Sequence, residues 1–349
     1  MSFNGSEHWA CDGHRTRAQD LYATVMAHHN RHLIGQAGVG KTSLLVQLLS
    51  QDTAPGICVF DTKGDLDIPH DVLFDPTVTR WNPLTEPIDP SLAPNFLAEV
   101  VKDAYGYDDL TTPVMSMYLS FLAAALIENR FNLTDAPRFL TDPMFRAKCQ
   151  YKSKLVQQFW DTFDALPARD QRFETASTLN KFLTLLLDKR VDRLFGHNTP
   201  AFGLADMHNQ TLLVRLPVAQ FGKQTTSLLA SMVLAYLVKL VPDNYSIYLE
   251  DAELFAKGTL LSVLNRGSKQ VTLSHQYIEQ LHPTLFAAVL GNCSERFVFR
   301  VSKQDAEILK QDLPPMSPKA SLDRLPNFYY RKLPFEKFDK DQITVPLEK

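Results

Sequence analysis

Short apolar runs alternate with stretches of helical spacing along most of the chain. His32-Leu33-Ile34, Gly56–Phe60, Asp71–Phe74, Thr211–Leu216, Tyr245–Leu249, Gln270–Ser274 and Arg296–Val301 are short and largely apolar, as strands covered on both faces of a parallel sheet require. Between them, Ser43–Leu49, Gln224–Val241, Ala256–Arg266 and Lys303–Gln311 show helical spacing, and Tyr277–Leu281 begins another helix. Pro314, Pro315 and Pro318 break the chain before a last strand at Asn327–Leu333. This alternation predicts an α/β fold, a mainly parallel sheet with helices on both faces. The middle differs. Leu92–Ala104, Pro113–Glu128, Lys152–Phe163 and Arg172–Leu187 are helix-patterned, and no strand-like run appears before Thr211. Residues 88–205 are therefore expected to form a helical insertion between two parts of one sheet domain, 1–87 and 206–349. Asp20–Ala27 is expected to form a short helix near the ligand.

Composition narrows the function only slightly. The 349 residues are 45% hydrophobic and 21% charged, ordinary for a globular protein with a sizeable core. A net charge of −3 gives no global attraction to nucleic acid, so any such contact rests on local patches or on a ring of subunits. Lys148, Lys152 and Lys154 form one basic cluster, read as a solvated face. Cys11, Cys58, Cys149 and Cys293 are widely spaced, which suits free thiols in a reducing, cytoplasmic setting. The His- and Arg-rich first 30 residues match no standard metal spacing and lack a signal-peptide pattern. Tyr118–Ile127 and Leu228–Val241 are too short to span a bilayer, so no integral membrane segment is expected.

Gly35-Gln36-Ala37-Gly38-Val39-Gly40-Lys41-Thr42-Ser43 carries the chemistry. It contains the pattern G-x-x-x-x-G-K-[ST] between a strand and a helix. Gly35, Gly38 and Gly40 permit backbone conformations closed to residues with a Cβ, so that successive N–H groups can face a phosphate. Lys41 would neutralise the β- and γ-phosphates of ATP, and the Thr42 hydroxyl would hold Mg²⁺. Tyr245–Leu249 ends in Glu250-Asp251-Ala252-Glu253, an apolar strand running into acids. Glu250 would complete the metal site, and Asp251 would activate the attacking water, with Glu253 as a substitute base. Gln276, beyond Gln270–Ser274, can sense the γ-phosphate, since its amide both donates and accepts. His275 reads as a buried or capping histidine. Arg266, at a helix end, is a candidate charge clamp for a neighbouring subunit's phosphate. Asp61 and Lys63 follow a core strand on the ligand side and would position water or link subunits.

Seven pieces together resemble a known group: R-H-L-I-G-Q-A-G-V-G-K-T-S-L-L (31–45), V-F-D-T-K-G-D-L (59–66), W-N-P-L (81–84), F-L-T-D-P-M-F-R (139–146), Y-L-E-D-A-E-L-F (248–255), S-H-Q-Y-I-E-Q-L (274–281) and G-N-C-S-E-R-F-V-F-R-V-S (291–302). They are similar, in order, to the type IV secretion coupling-protein ATPases within the HerA/FtsK-like DNA translocases. The resemblance implies a P-loop NTPase fold of RecA/HerA-FtsK type with an inserted all-helical domain. It also implies a homo-oligomeric, usually hexameric ring with DNA in its channel and ATP at subunit interfaces. Three departures stand out. The acids run Glu250-Asp251 where the family has Asp then Glu, the family's interface arginine usually falls at Asn265, and the transmembrane anchor of the conjugative coupling proteins is expected to be absent, which counts against a secretion-channel role and leaves soluble relatives in play. The reading that follows is an ATP-driven DNA translocase with a secretion-complex partner. Alternatives are a viral genome-packaging ATPase on a capsid vertex, virion-associated, and an assembly module with little turnover.

Overall fold

The computed structural model describes residues 30–107, 112–197, 201–266 and 269–310, together with the backbone of 328–332 and 344–345. Cys11, the helix expected at Asp20–Ala27 and most of the first polar stretch lie outside these residues. β1 (Arg31–Ile34) turns through the glycine loop into α1 (Lys41–Ser50). β2 (Gly56–Asp61) and β3 (Val72–Phe74) follow. Helices α2 (Ala93–Ala104), α3 (Pro113–Glu128), α4 (Ala136–Thr141), α5 (Pro143–Arg146), α6 (Lys154–Asp164), α7 (Ala168–Leu186) and α8 (Lys189–Phe195) then run without an intervening strand. Alternation returns with β4 (Thr211–Arg215), α9 (Val218–Phe221), α10 (Lys223–Leu240), β5 (Tyr245–Leu249) and α11 (Lys257–Arg266). It continues through β6 (Gln270–His275), α12 (Pro283–Asn292), β7 (Glu295–Val298) and α13 (Lys303–Lys310). β8 (Phe328–Lys332) and β9 (Thr344–Val345) end the described chain.

Among the described residues, nine strands form one sheet in the order β3-β4-β2-β5-β6-β1-β7-β8-β9. From β3 to β7 every pairing is parallel, and β8 and β9 add antiparallel at one edge. Side-chain alternation along each strand sorts the core into two layers. Leu33, Ile57, Val59, Leu213, Tyr248 and Phe297 meet Leu44, Leu45 and Leu48 of α1. Ile34, Cys58, Phe60, Leu212, Val214, Ile247, Leu249 and Val298 belong to a much larger cluster holding α10, α11, α12 and the inserted helices. Both faces are covered, which is why the strands are apolar without a polar face.

Two motifs of the sequence resemblance are structural. Trp81 is buried and donates Nε1–H to Glu86 Oε1 at 2.7 Å; that same oxygen accepts the backbone N–H of Leu204 at 2.8 Å. Glu86 thereby joins the two ends of the helical segment, and burial pushes its carboxyl up from the ordinary range. In the second motif Asp142 caps α5 by accepting from the N–H groups of Met144 and Phe145. Arg146 turns inward, donating to Asp164 Oδ1 at 2.5 and 3.0 Å and to the carbonyl of Phe139 at 2.6 Å. Its guanidinium lies over Phe163, 5.0 Å from the ring centroid. Trp160 packs edge-on against Phe139, Phe159 and Phe163 beside it.

Several boundaries differ from the sequence expectation. The helix expected from Tyr277 is a short 3-10 turn at Ile278–Gln280, and α12 starts only at Pro283. Proline at the first helical position, capped by His282, restarts the chain there. The strand expected over Arg296–Val301 is Glu295–Val298; beyond it the Phe299 N–H still donates to the Ile34 carbonyl and the Arg300 carbonyl accepts from the Gln36 N–H, before the chain turns into α13. α4, α5 and α8 are additional short helices. The Lys148, Lys152 and Lys154 side chains are exposed, as expected of a solvated cluster. Replacing Arg146 by Met keeps the stem but removes the ion pair and the bond to Phe139. That change is expected to destabilise the protein by about 3 kcal/mol, read as a lower denaturant midpoint.

Candidate active site

The glycine loop joins β1 to α1 at the carboxyl end of the sheet, where ligands bind in α/β folds. Gly38 and Gly40 have φ of 76° and 100°, a region that strains any residue with a Cβ. Gly35 is required for a different reason from the one foreseen. It is not among the positive-φ glycines; a Cβ there would lie 2.5 Å from the Phe299 Cβ. Gln36, Ala37 and Gly38 are exposed at the crest, and Val39 and Gly40 are half-buried. Ser43 is exposed on the first turn of α1, whose N–H groups open toward the loop. Lys41 folds back over the loop, its Nζ donating to the carbonyls of Gly35 at 2.7 Å and Gln36 at 2.9 Å. Burial, with Lys63 nearby, lowers its pKa.

The acids arrive from β5, two strands away, with β6 between. Thr42 bridges the gap by donating its hydroxyl to Glu250 Oε1 at 2.6 Å. Glu250 is buried, and its second oxygen, Oε2, has no partner. A hydroxyl, a buried carboxylate and an unspent oxygen suit a hard divalent cation, so Thr42 and Glu250 fit Mg²⁺. The Lys63 ammonium also reaches Glu250 Oε1 and lies 3.4 Å from the Thr42 hydroxyl. Asp251 has a left-handed backbone, φ 51°, ψ 63°, which a short polar side chain tolerates better than a longer one. Its Oδ2 accepts from the Thr62 hydroxyl at 2.8 Å.

Asp61 is fully buried and serves its own loop, accepting from the N–H groups of Lys63, Gly64 and Leu66 at 3.2, 2.6 and 3.2 Å. It approaches Glu250 and Asp65 closely enough for the three carboxylates to form a potential metal cluster, but its lone pairs are largely committed to the backbone. Asp61 thus shapes the turn that delivers Lys63. His275 is buried, as the sequence reading held. Its ring stacks on that of His32 with the two Nε2 atoms 2.7 Å apart. Burial depresses both histidines, His275 to about 4, so the pair beside the loop is neutral.

Beside the loop opens a cleft of about 640 Å³ lined by Thr62, Lys63, Asp251, Glu253 and Gln276, among others. Glu253 accepts from Gln280 Nε2 at 2.6 Å, and Gln280 Oε1 accepts the backbone N–H groups of Gln276 and Tyr277. This clasp ties the tip of β5 to the tip of β6. Burial raises the Glu253 carboxyl to about 7. Thr62, Gln280 and Lys223, which also lines the cleft, were not singled out from sequence. Thr62 and Gln280 lie inside conspicuous motifs, but only the fold shows which way they face. Arg266 is exposed at the end of α11, which leads to the amino end of β6, opposite the glycine loop. Lys41, Thr42, Lys63, Glu250, Asp251 and Gln276 converge within one chain, and Arg266 does not join them.

No protein-family model and no curated protein sequence matches the chain. Solved structures do. A bacterial conjugative coupling protein, TrwB lacking its first 70 residues, superposes with a TM-score of 0.62 at 12% identity, over 89% of this chain and 84% of that one. TrwB in complex with ADP and Mg²⁺ gives 0.61 at 13% identity, over 88% and 82%. VirB4 of Thermoanaerobacter pseudethanolicus gives 0.57 at 10% identity, over 87% and 86%. At such identities the likeness concerns the fold: the chain has the P-loop NTPase architecture of the conjugative coupling protein and of VirB4.

Proposed function

We propose that this protein is a magnesium-dependent ATPase that moves DNA through a ring of its own copies, about six of them as the sequence resemblance implies. The observation that carries the ATPase reading is the Thr42–Glu250 hydrogen bond, which puts the glycine loop and the acidic strand tip in one space. TrwB's complexes with ADP and Mg²⁺ and with a GTP analogue support nucleotide as the ligand. The backbone amides of Gly35–Ser43 cradle the phosphates, and Lys41 leaves its loop carbonyls to neutralise them. Thr42 and Glu250 hold Mg²⁺, which would offset phosphate charge when bound. Asp251, steadied by Thr62, orients the attacking water, and Glu253 is the second carboxylate able to receive its proton. Gln276 senses the γ-phosphate from the tip of β6 and passes its state through the Gln280 clasp. Arg266 serves a neighbouring copy. The sequence resemblance supports DNA as cargo and a secretion complex as partner; a capsid vertex would use the same chemistry. Among the described residues no helix is long and apolar enough to cross a membrane.

ATP turnover with and without single- and double-stranded DNA, alongside the mass of the ATP-bound assembly, tests this reading. Lys41→Ala is expected to lower turnover at least about a hundredfold with the fold intact; unchanged turnover would refute the assignment. A base titrating at about 7 implies a tenfold loss of rate between about pH 8 and pH 6, as Glu253 takes up its proton. Glu253→Gln should be slower and flat over the same interval, and a wild-type rate without that slope would remove Glu253 from proton transfer.

A further inference from the structure

The two groups that fit a divalent cation already share a cation. Glu250 Oε1 accepts from the Thr42 hydroxyl at 2.6 Å, and the Lys63 ammonium lies against that oxygen and 3.4 Å from the hydroxyl. Glu250 is buried, whereas the Lys63 side chain is 43% exposed. The backbone carrying Lys63 is fixed by Asp61, through its bonds to Lys63, Gly64 and Leu66. Only the flexible four-carbon stem is therefore at liberty to move. A compact ammonium at the end of such a stem can satisfy a carboxylate and a hydroxyl together. It cannot stay there beside a doubly charged ion, since like charges at that separation repel strongly in a partly desolvated site.

We propose that Lys63 is an internal occupant of the divalent-cation position. Without ligand its ammonium stands between Thr42 and Glu250, and a metal bound to those groups must expel it into the cleft beside Asp251. This rests on the ATPase reading above and adds to it. Lys63 weakens metal binding when no nucleotide is bound, so metal arrives chiefly with nucleotide, whose phosphates supply further ligands. Expulsion then moves the ammonium off Glu250 and further into the cleft that Lys63 already lines, so metal loading changes the charge at the face where Thr62, Asp251 and Gln276 meet. A permanent ion pair that only steadies the fold is the competing account, and the two predict opposite outcomes.

The test is Mn²⁺ binding to the nucleotide-free full chain, followed by electron paramagnetic resonance of the free ion. Lys63→Met is expected to bind Mn²⁺ about fivefold to tenfold more tightly than wild type, and Lys63→Gln to behave alike. Lys63→Arg, which keeps the charge, should stay near wild type. Lys223→Met removes an equal charge from the same cleft without touching Glu250, and should also stay near wild type. Glu250→Gln in the Lys63→Met background should abolish the gain. Unchanged or weaker Mn²⁺ binding by folded Lys63→Met and Lys63→Gln overturns the proposal, as does an equal gain in Lys223→Met. ATP binding that persists alongside such a result would leave the ATPase reading standing, whereas loss of Lys41-dependent ATP binding in the wild type would defeat that reading separately.

Discussion

A single hydrogen bond across an intervening strand organises the candidate site. The glycine loop follows β1 and the acids follow β5, with β6 between them. Adjacent strands lie about 4.8 Å apart, so those two strand ends are separated by roughly 10 Å. Backbone pairing cannot close that distance. Thr42, on the first turn of α1, leans over the tip of β6 and meets Glu250 at 2.6 Å. The space left over β6 opens into the cleft that Gln276, just beyond that tip, helps to line.

The surrounding structure keeps this geometry in place at several levels. Asp61 spends its carboxylate on three N–H groups of the turn after β2, which fixes where Lys63 starts. Glu253 and Gln280 lock the tip of β5 to the backbone at the tip of β6. At the base of the sheet, Arg31 and Glu295 form a fully buried ion pair at 2.9 Å that joins β1 to β7. Removing one partner of such a pair strands a charge in the core, so it constrains register as much as it adds stability. The inserted helices share one continuous apolar cluster with a face of the sheet, and Glu86 holds their two ends together.

The cations in the site set its electrostatics. Lys41 rests on loop carbonyls and Lys63 on Glu250, so the two positive groups occupy the neighbourhood that phosphate and metal would take. Glu250 is held by Lys63 and Thr42. The half-buried Glu253 carboxyl accepts from Gln280, and burial pushes it up to about 7.

The parallel sheet, the phosphate loop and the helical character of the middle segment were legible from the sequence, because each rests on local periodicity or on a contiguous motif. Lys41, Thr42, Glu250 and Asp251 were legible for the same reason. Local signals misjudged the chain after β6, where a proline restarted the helix later than the spacing suggested, and they gave the wrong reason for Gly35, whose constraint is the distant Phe299. They also could not separate motifs that hold the fold, such as those of Trp81 and Arg146, from motifs that build the candidate site. Only the tertiary structure decided that Asp61 turns inward while Lys63 reaches the acid, that Gln280 clasps Glu253, and that Arg266 lies at the far end of the sheet. These depend on which strand ends become neighbours, and strand order is set by long-range packing that no short window of residues records.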